Sequence, residues 1–287
     1  MDASVILCVR NGASTIGAQL EALAAQECPY EWELVVVDNG STDDTIEIVE
    51  QWRGRIPAVR VVPALKRAGL AYARNVGAAA AAGEVLAFCD ADDVADPGWL
   101  AGLIAGGRDA DLVGGGLELD LLNDPVTYKW RGMSDDDLRH PHALNYLHYA
   151  MGANFAVRRS AYESVGGCDE AFVVCGDDID LSWRIQREGG SISFRPDALM
   201  HYRLRPGVRA LIRQRYGYGK IHGLLRRKFG DEVPPIRWAD RWPTYLSLLV
   251  YFWHLGADKE RRGVWLGTAS YCAGRISGAL HYRVLQY

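Results

Sequence analysis

Three aspartates within four residues form the cluster most suggestive of chemistry. Asp90, Asp92 and Asp93 come directly after a continuous apolar run at residues 85–89. Alternation along an extended segment would place Asp90 and Asp92 on the same side, where both could face one ligand. Crowded carboxylates repel one another unless a cation or hydrogen-bond donors compensate, and a hard divalent cation that also binds ligand oxygens would do so. The cluster therefore predicts a ligand site, although Asp93 alone would also suit a turn or a helix cap.

A second acidic cluster opens a segment with helical spacing. Asp177, Asp178 and Asp180 follow Gly176 and precede Arg184. Carboxylates in the first turn of a helix are favoured by the helix dipole, so capping explains part of this pattern. Three acids exceed what a cap requires. Asp180 and Arg184 are spaced for an ion pair on one helix face, which leaves Asp177 and Asp178 as the candidates for chemistry.

The elements that must position these acids are apolar runs of strand length separated by helical segments. The predicted strands cover residues 4–9, 33–37, 59–62 and 85–89, and the predicted helices between them cover residues 16–23, 45–52 and 68–82. Fully apolar strands that alternate with helices predict a parallel sheet covered on both faces. Ligands of such sheets bind at the carboxyl ends of the strands. Asp38 and Asp90 each follow a strand at that end, and this coincidence is the first functional signal.

The rest of the chain is less regular before it becomes helical. Further strands are predicted near residues 112–113, 153–157 and 191–194, helices at 159–165 and 179–188, and a polar loop at 123–145. After His201 the pattern is helical. These elements extend the same α/β pattern and add helices at its C-terminal end.

Composition and cysteine usage narrow the class of protein. The 287 residues are 49% hydrophobic with a net charge of -4, which is ordinary for a globular enzyme and does not suggest a nucleic-acid binder. The six cysteines show no CxxC pair and no disulfide-framework spacing, which indicates a reducing, cytoplasmic setting. The apolar stretch after Asp2 ends at Arg10, too early for a signal peptide.

Three segments together resemble the family 2 inverting glycosyltransferases. They are residues 38–43 (DNGSTD), 73–77 (ARNVG) and 88–93 (FCDADD), which occur here in the order and spacing of that family. Each segment alone is unspecific, whereas the combination is highly specific. The resemblance extends from about Val5 to His201.

The resemblance implies the GT-A fold, an α/β nucleotide-binding fold with a mostly parallel central sheet flanked by helices. Residues 1–205 are then predicted to form the catalytic domain, with a donor half at 1–95 and an acceptor half at 96–205. Residues 206–287 are predicted to form a helical C-terminal extension.

The resemblance also implies a nucleotide-sugar site. Its residues would be Val9, Arg10, Asn11, Asp38, Arg74, Asp90 and Ala91. By similarity to the family, Asp38 contacts the nucleotide base and Asp90 lies near the ribose and sugar. Arg74 stands where relatives often keep an arginine facing the nucleotide or the donor sugar, and a surface salt bridge is the alternative interpretation.

The metal ligands and the catalytic base follow from the same resemblance. Asp92 is expected to bind a metal ion, Mn²⁺ or Mg²⁺, at the diphosphate, and His201 either adds a further ligand or is an ordinary histidine. Imidazole with oxygen ligands suits Mn²⁺ better than Mg²⁺. Asp178 matches the family's catalytic base. Asp177 replaces the glutamate that usually precedes it and is expected to act as its helper.

Two residues are candidates for contact with the acceptor. Asn154 lies on the strand before the catalytic helix, where a satisfied buried amide is the alternative. Trp183 could stack on a sugar ring, although most tryptophans are simply packed.

The C-terminal tail combines basic, aromatic and small residues. Residues 203–228 contain nine Lys and Arg and no Asp or Glu, residues 245–255 are apolar and aromatic-rich, and residues 264–280 carry small residues that permit close helix packing. The tail is predicted to make peripheral membrane contact, to form a homodimer, or to pack onto the catalytic domain.

The sequence thus predicts an inverting glycosyltransferase that moves a sugar from a nucleotide-diphosphate donor, with UDP-sugar favoured, to an acceptor hydroxyl. One alternative is a sugar-nucleotide nucleotidyltransferase, which would require a Gly-rich basic phosphate loop after the first strand; residues 10–14 (RNGAS) match that poorly. The other is a non-catalytic protein that binds sugar nucleotides.

Overall fold

A computed structural model describes residues 1–130, 141–235 and 238–284 of the chain, without the side chains of 238–241. The chain divides into two compact units. The first is built mainly from Met1–Leu121 and His148–Arg203, and the second mainly from Leu204–Tyr287 with His142–Leu147 and the described residues from 122 to 130. Part of the predicted polar loop, residues 131–140, lies outside the described residues.

Most helices and strands follow one another as the apolar patterns predict. A short helix at residues 125–129 instead lies within the predicted polar loop at 123–145, where the side chain of Asp124 caps it. The first half contains β1 (Ala3–Val9), α1 (Ile16–Ala24), β2 (Trp32–Asp38), α2 (Thr45–Glu50), β3 (Val59–Pro63), α3 (Leu70–Ala80), β4 (Val85–Asp90), β5 (Val94–Ala95), α4 (Trp99–Asp109), β6 (Leu112–Glu118) and α5 (Pro125–Lys129). The second half contains β7 (Asn154–Arg158), α6 (Arg159–Ser164), α7 (Asp177–Arg187), β8 (Ile192–His201), α8 (Val208–Phe229), α9 (Trp238–Val250) and α10 (Lys259–Tyr282), with short 3₁₀ turns at Gly230–Glu232 and Phe252–Gly256.

The eight strands form one sheet in the first unit. Their order is β3-β2-β1-β4-β7-β6-β8-β5. The pairs β1–β2, β1–β4, β2–β3 and β6–β8 are parallel, while β7 runs antiparallel to β4 and β6, and β5 runs antiparallel to β8. The predicted mostly parallel sheet flanked by helices is therefore confirmed.

Strand β8 is longer than the sequence pattern predicts. Its pairing with β6 shifts between Gly115 and Gly116, which face Arg195 and Leu199. The residues in between include Pro196, which lacks the N–H that a regular ladder requires. Pairing resumes beyond this irregularity, so that β8 carries His201 to the same end of the sheet as Glu118.

The core of the first unit lies on both faces of the sheet. Strands β1, β2 and β4 are buried along nearly their whole length, as parallel strands covered by helices must be. Phe88 stacks on Phe155 with ring centroids 4.6 Å apart. Helix α3 approaches the sheet closely at Gly77, where a Cβ would come within 2.7 Å of side-chain atoms of Ile6 and Val37. This close approach brings Arg74, one turn earlier, over the sheet's ligand-binding end.

In the second unit, α8 and α10 pack backbone against backbone. A Cβ on Gly274 would overlap the carbonyl oxygen of Tyr216, and one on Gly278 would overlap that of Lys220. Gly219 of α8 is equally close to the carbonyl of Tyr271. The close helix packing predicted from the small residues of the tail is confirmed at these glycines.

Replacing Gly274 with alanine is expected to destabilise the second unit. The added methyl group has to push apart two backbones, for which an overpacking cost of about 2 kcal/mol is typical. Chemical denaturation of the variant and of Gly17→Ala checks this. Gly17 lies on α1 with open space around it, so its alanine variant should be neutral or more stable. Equal free energies of unfolding for the two variants would contradict the close contact between α8 and α10 at Gly274.

Among the described residues, no helix combines the length and the apolar character needed to cross a bilayer.

Candidate active site

Two aspartates flank the carboxyl end of the central strand β1. In the parallel ladders, Val9 pairs with Asp38 of β2, and Cys8 pairs with Asp90 of β4. The two carboxylates therefore stand on neighbouring strands on either side of one strand end. This is the place where sheets of this type bind ligands, and the sequence predicted both residues there.

The turns that follow β1 and β2 are joined by hydrogen bonds. Asn11 adopts a left-handed conformation with φ of 56°. Its Oδ1 accepts a hydrogen bond from the backbone N–H of Thr42 at 2.8 Å, and Asp38 Oδ1 accepts one from Ser41 at 2.8 Å. Val9 is 5% exposed and belongs to the core, so only Arg10 and Asn11 of the predicted base-lining segment present side chains to solvent.

The carboxylates after β4 converge as the sequence predicts. Ligand oxygens of Asp90, Asp92 and Asp93 all lie within 4.8 Å of one another. Asp90 is one-third exposed, whereas Asp93 is buried. Asp93 caps no helix: its Oδ1 accepts a hydrogen bond from the backbone N–H of Arg203 at 2.7 Å. Ala91 is buried between them, so its side chain is turned away from solvent.

Two residues that the sequence analysis did not identify bind the backbone of the acidic loop at residues 90–93. The buried Gln19 of α1 donates from Nε2 to the carbonyl of Asp90 at 3.2 Å and accepts from the N–H of Ala95 at 2.9 Å. Arg203 donates from Nε to the carbonyl of Asp92 at 2.8 Å. Arg203 thus holds the backbone of the loop through its Nε. The sequence signal for Gln19 was its position among the apolar residues of α1, where a polar side chain is unusual.

Arg74 is buried at the centre of the site. It is 3% exposed, and its Nη1 lies 2.6 Å from Oδ2 of Asp177, which is 1% exposed. Its Nη2 lies 3.9 Å from Oδ1 of Asp90. The alternative of a surface salt bridge is therefore wrong, because α3 packs so closely on the sheet that its arginine is enclosed over Phe88 and Phe155.

Asp178 stands at the beginning of α7, next to this ion pair. Gly176 precedes the helix with φ of 86°, a left-handed turn that glycine adopts without strain. Oδ2 of Asp178 accepts a hydrogen bond from the N–H of Gly152 at 2.8 Å. Arg74 donates to the carbonyl of the same Gly152 at 2.6 Å, so one backbone segment links the arginine to the predicted base.

The crowding of carboxylates raises two pKa values. Burial, and then the neighbouring Asp177, raise the pKa of Asp178 to about 6, while Arg74 works in the opposite direction. Burial also raises the pKa of Asp90 to about 7; Arg74 opposes this shift, while Asp92, Asp177 and Asp178 add to it. Arg74 lies 3.9 Å from Asp90 and bonds to Gly152, which in turn donates to Asp178, so both carboxylates adjoin the same arginine. Arg74 is their neutralising cation.

The carboxylate of Asp177 contacts Arg74 and is shielded from solvent. Its side chain is enclosed and paired with the guanidinium. This contact places Asp177 where it holds Arg74 against the start of α7, and its role as helper of the base stays a prediction. The predicted ion pair between Asp180 and Arg184 is confirmed, with Arg184 Nη2 lying 2.8 Å from Asp180 Oδ2.

His201 lies outside the three-carboxylate group. At the end of β8, its Nδ1 donates to Oε2 of Glu118 at 2.7 Å, and its Nε2 is 4.0 Å from Asp96. Sequence reasoning missed Glu118, because only the pairing of β6 with β8 brings the two side chains together.

The two predicted acceptor contacts lie in the interior. Asn154 is fully buried; its Oδ1 accepts from Nε1 of Trp99 at 2.7 Å, and its Nδ2 donates to the carbonyls of Gly116 and Ala198 at 2.7 and 2.8 Å. Trp183 is also fully buried. The acceptor assignment of both is corrected, since Asn154 joins three elements of the core and Trp183 faces away from solvent.

A family model and curated relatives match this chain. The model described as Glycosyl transferase family 2 matches residues 4–166. Glycosyltransferase AglE of Haloferax volcanii is 31% identical over 222 residues, which cover 76% of this chain and 72% of that protein. The pre-mycofactocin glycosyltransferase of Mycobacterium tuberculosis is 28% identical over 247 residues, which cover 82% of this chain and 50% of that protein.

Solved structures share the fold. Mannosyltransferase PcManGT from Pyrobaculum calidifontis, in complex with GDP-Man and Mn²⁺, superposes with a TM-score of 0.69 at 22% identity, covering 97% of this chain and 87% of that one. S. aureus TarS 1-349 in complex with UDP superposes with a TM-score of 0.57 at 20% identity, covering 96% of this chain and 92% of that one. This likeness shows the GT-A fold that the sequence predicted.

Proposed function

This chain belongs to glycosyl transferase family 2, and from that premise we propose that it transfers a sugar from a nucleotide-diphosphate donor to an acceptor hydroxyl with inversion at the anomeric carbon. The observation that carries the proposal is the carboxylate of Asp178, which stands beside Arg74 and Asp90 at the carboxyl ends of the strands. This arrangement supports one site in which Asp178 is the base and the acidic cluster after β4 binds the donor.

In the proposed reaction, the acceptor oxygen attacks the anomeric carbon on the face opposite the diphosphate. The bond between that carbon and the diphosphate oxygen breaks, and the nucleoside diphosphate leaves with the bonding electrons. The hydroxyl proton passes to the carboxylate of Asp178. A raised pKa makes this carboxylate a better proton acceptor than an ordinary aspartate, as long as it is ionised at the working pH.

The donor would bind across the ends of β2, β1 and β4. Asp38 and Asn11 would face the base and ribose with Arg10, and Asp90 with the backbone of Ala91 would face the ribose and sugar. The relatives' complexes with UDP, UDP-GlcNAc and GDP-Man support a nucleotide-sugar donor as a class. We favour a UDP-sugar and a hexose as the group transferred. The cytoplasmic setting stays a prediction, supported by six free cysteines.

The residues after β4 fit a divalent cation. Three carboxylates within 4.8 Å of one another offer the oxygen ligands that Mn²⁺ and Mg²⁺ accept. Asp92 would hold the ion, which would neutralise negative charge on the diphosphate. His201 is proposed as a further ligand because its Nδ1–H bond to Glu118 is the arrangement by which proteins orient metal-binding imidazoles.

Replacing Asp92 with alanine is expected to remove the metal dependence of donor binding. Calorimetric titration of UDP-, GDP- and dTDP-sugars, each with and without Mn²⁺, measures the effect, and loss of a ligand should weaken Mn²⁺-dependent binding at least about tenfold. Glu21→Ala is the matched control, since Glu21 is an exposed acid on α1. An Asp92→Ala variant that still gains affinity on Mn²⁺ addition would refute the assignment.

The transfer rate is expected to fall as the pH drops through about 6. Asp178 must be ionised to accept a proton, and the midpoint follows its raised pKa rather than the value near 4 of an ordinary aspartate. A pH profile of kcat at saturating donor and acceptor measures this. Donor affinity measured over the same range separates the contribution of Asp90. A profile that stays flat down to about pH 5 would contradict the role of Asp178.

The hydrogen bonds of the first turn disfavour a nucleotidyltransferase. The backbone N–H groups of Asn11, Gly12 and Ala13 donate to side chains of the turn after β2, namely Ser41, Thr45 and Asp43. They are therefore engaged and not directed at a phosphate group, as a phosphate-binding loop requires. A non-catalytic binding protein is distinguished by assay, since it would bind the donor without turnover.

A further inference from the structure

The second unit exposes a concentrated patch of large apolar side chains. Of the 19 large hydrophobic side chains exposed among the described residues, eight lie between residues 242 and 255. These eight form what we name the aromatic face: Trp242, Leu246, Leu249, Val250, Tyr251, Phe252, Trp253 and Leu255. So many exposed apolar groups in 14 residues exceed the single exposed residues that are normal on a protein surface.

The geometry of α9 places four of these eight side chains on one side of the helix. Positions 242, 246, 249 and 250 are spaced as i, i+4, i+7 and i+8, which places them on one helical stripe. The backbone of α9 is held from α10, where Nε1 of Trp265 donates to the carbonyl of Leu248 at 3.0 Å. The chain then continues through the 3₁₀ turn at Phe252–Gly256, where Phe252 is 65% exposed and Trp253 is 51% exposed.

The net charge of the C-terminal residues indicates which kind of partner covers the aromatic face. Residues 204–287 contain 15 Lys and Arg against 5 Asp and Glu, a net charge of +10, whereas residues 1–203 contain 17 against 31, a net charge of -14. Directly after the aromatic face, the exposed Lys259, Arg261 and Arg262 outnumber Asp258 and Glu260. The guanidinium of Arg261 lies 5.9 Å from the ring centroid of Trp253 and 3.6 Å from a carboxylate oxygen of Asp258. Cations beside exposed aromatic rings match the interface of an anionic lipid bilayer.

A second copy of the chain fits this surface less well. Two aromatic faces brought together would also bring together two copies of residues 204–287, each with a net charge of +10. The positive charges of the two copies would repel each other, whereas anionic lipid headgroups attract the Lys and Arg side chains. Trp and Tyr, moreover, are the residues that favour the boundary between headgroups and acyl chains.

We propose that the aromatic face docks on a lipid surface that carries anionic headgroups. The apolar side chains enter the boundary of the acyl chains, while Lys259, Arg261 and Arg262 contact the headgroups. This inference goes beyond the proposed transfer reaction and does not depend on it.

Vesicle flotation of the full chain tests the proposal. Vesicles of phosphatidylcholine mixed with phosphatidylglycerol are expected to bind the chain, vesicles of pure phosphatidylcholine to bind it much less, and high salt to weaken binding. The double variant Phe252→Ser, Trp253→Ser should bind at least about tenfold more weakly, because two exposed apolar groups no longer enter the bilayer. Arg262→Gln should bind roughly fivefold more weakly.

The matched control is Leu280→Ser, which removes an apolar side chain that is 75% exposed on α10 of the same unit. It should bind like the unchanged chain, and all variants should keep the same circular dichroism and melting temperature. Absence of binding to anionic vesicles would overturn the proposal. So would a concentration-dependent dimer in sedimentation that the double variant abolishes, since the occupant would then be a second copy.

Discussion

Replacing Asp178 with asparagine is expected to lower kcat by about 10²- to 10⁴-fold, the usual contribution of a general base, while donor affinity stays nearly unchanged. Asparagine has nearly the same shape, and its Oδ1 can still accept the hydrogen bond from Gly152. Its Nδ2 cannot accept the bond that the backbone N–H of Ile179 donates to the other carboxylate oxygen. Asparagine cannot take up the hydroxyl proton. The loss should therefore appear in turnover and not in binding.

Two opposing effects leave the stability of this variant nearly unchanged: the hydrogen bond from Ile179 is lost, and electrostatic repulsion is relieved. Burial and the neighbouring Asp177 already disfavour the ionised form of Asp178, as its raised pKa indicates, so removing the charge relieves repulsion. Measurements of kcat, of donor affinity and of melting temperature separate the possibilities. Glu188→Gln serves as control because Glu188 is an exposed acid at the other end of α7. Full turnover by Asp178→Asn would remove Asp178 as the base, whereas retained donor binding without turnover supports it.

Replacing Arg74 with methionine is expected to destabilise the chain by about 3–5 kcal/mol, the range seen when one partner of a buried ion pair is removed. Arg74 and Asp177 are almost fully enclosed, with 3% and 1% of each residue exposed. Without the guanidinium, the carboxylate of Asp177 stays buried without its cation, and the carbonyl of Gly152 loses a donor. Chemical denaturation measures the free energy of unfolding.

This destabilisation should depend on pH. Arg74 lowers the pKa of Asp90 and of Asp178, both of which are raised above the ordinary aspartate value by burial. Without Arg74 both pKa values rise further, so ionising these groups in the folded state costs more. The variant therefore loses stability at pH values where Asp90 and Asp178 are ionised in the folded state. This loss disappears at lower pH, where both carboxylates bind protons. The difference in stability from the unchanged chain should thus be largest above about pH 7 and shrink toward about pH 5.

Two comparisons isolate the buried pair. Adding Asp177→Asn to Arg74→Met should recover part of the lost stability, because the buried charge is then removed. Arg53→Met breaks an exposed pair with Glu50 and should change stability by no more than about 1 kcal/mol. If Arg74→Met proves as mild as Arg53→Met, the ion pair at the centre of the site does not carry the role assigned to it.

The local patterns of the sequence were sufficient for most of the fold. Apolar runs of strand length and the helical segments between them predicted β1 to β4, their parallel order and the helices that cover them. The position of Asp38 and Asp90 followed too, because in a parallel sheet the strand ends lie at one edge. Sequence similarity to the family then added the fold's name and the proposed roles.

Only the tertiary structure decided which polar side chains are buried and which partner each of them contacts. Arg74 and Asp177 are 103 positions apart, and Asp93 and Arg203 are 110 apart. Nothing in the neighbourhood of Asn154 distinguishes a surface amide from one that joins β6, β7, β8 and α4. Local sequence determines the backbone conformation and the residue types at a strand end. Burial, pairing and the resulting pKa shifts depend on segments that meet only when the chain folds.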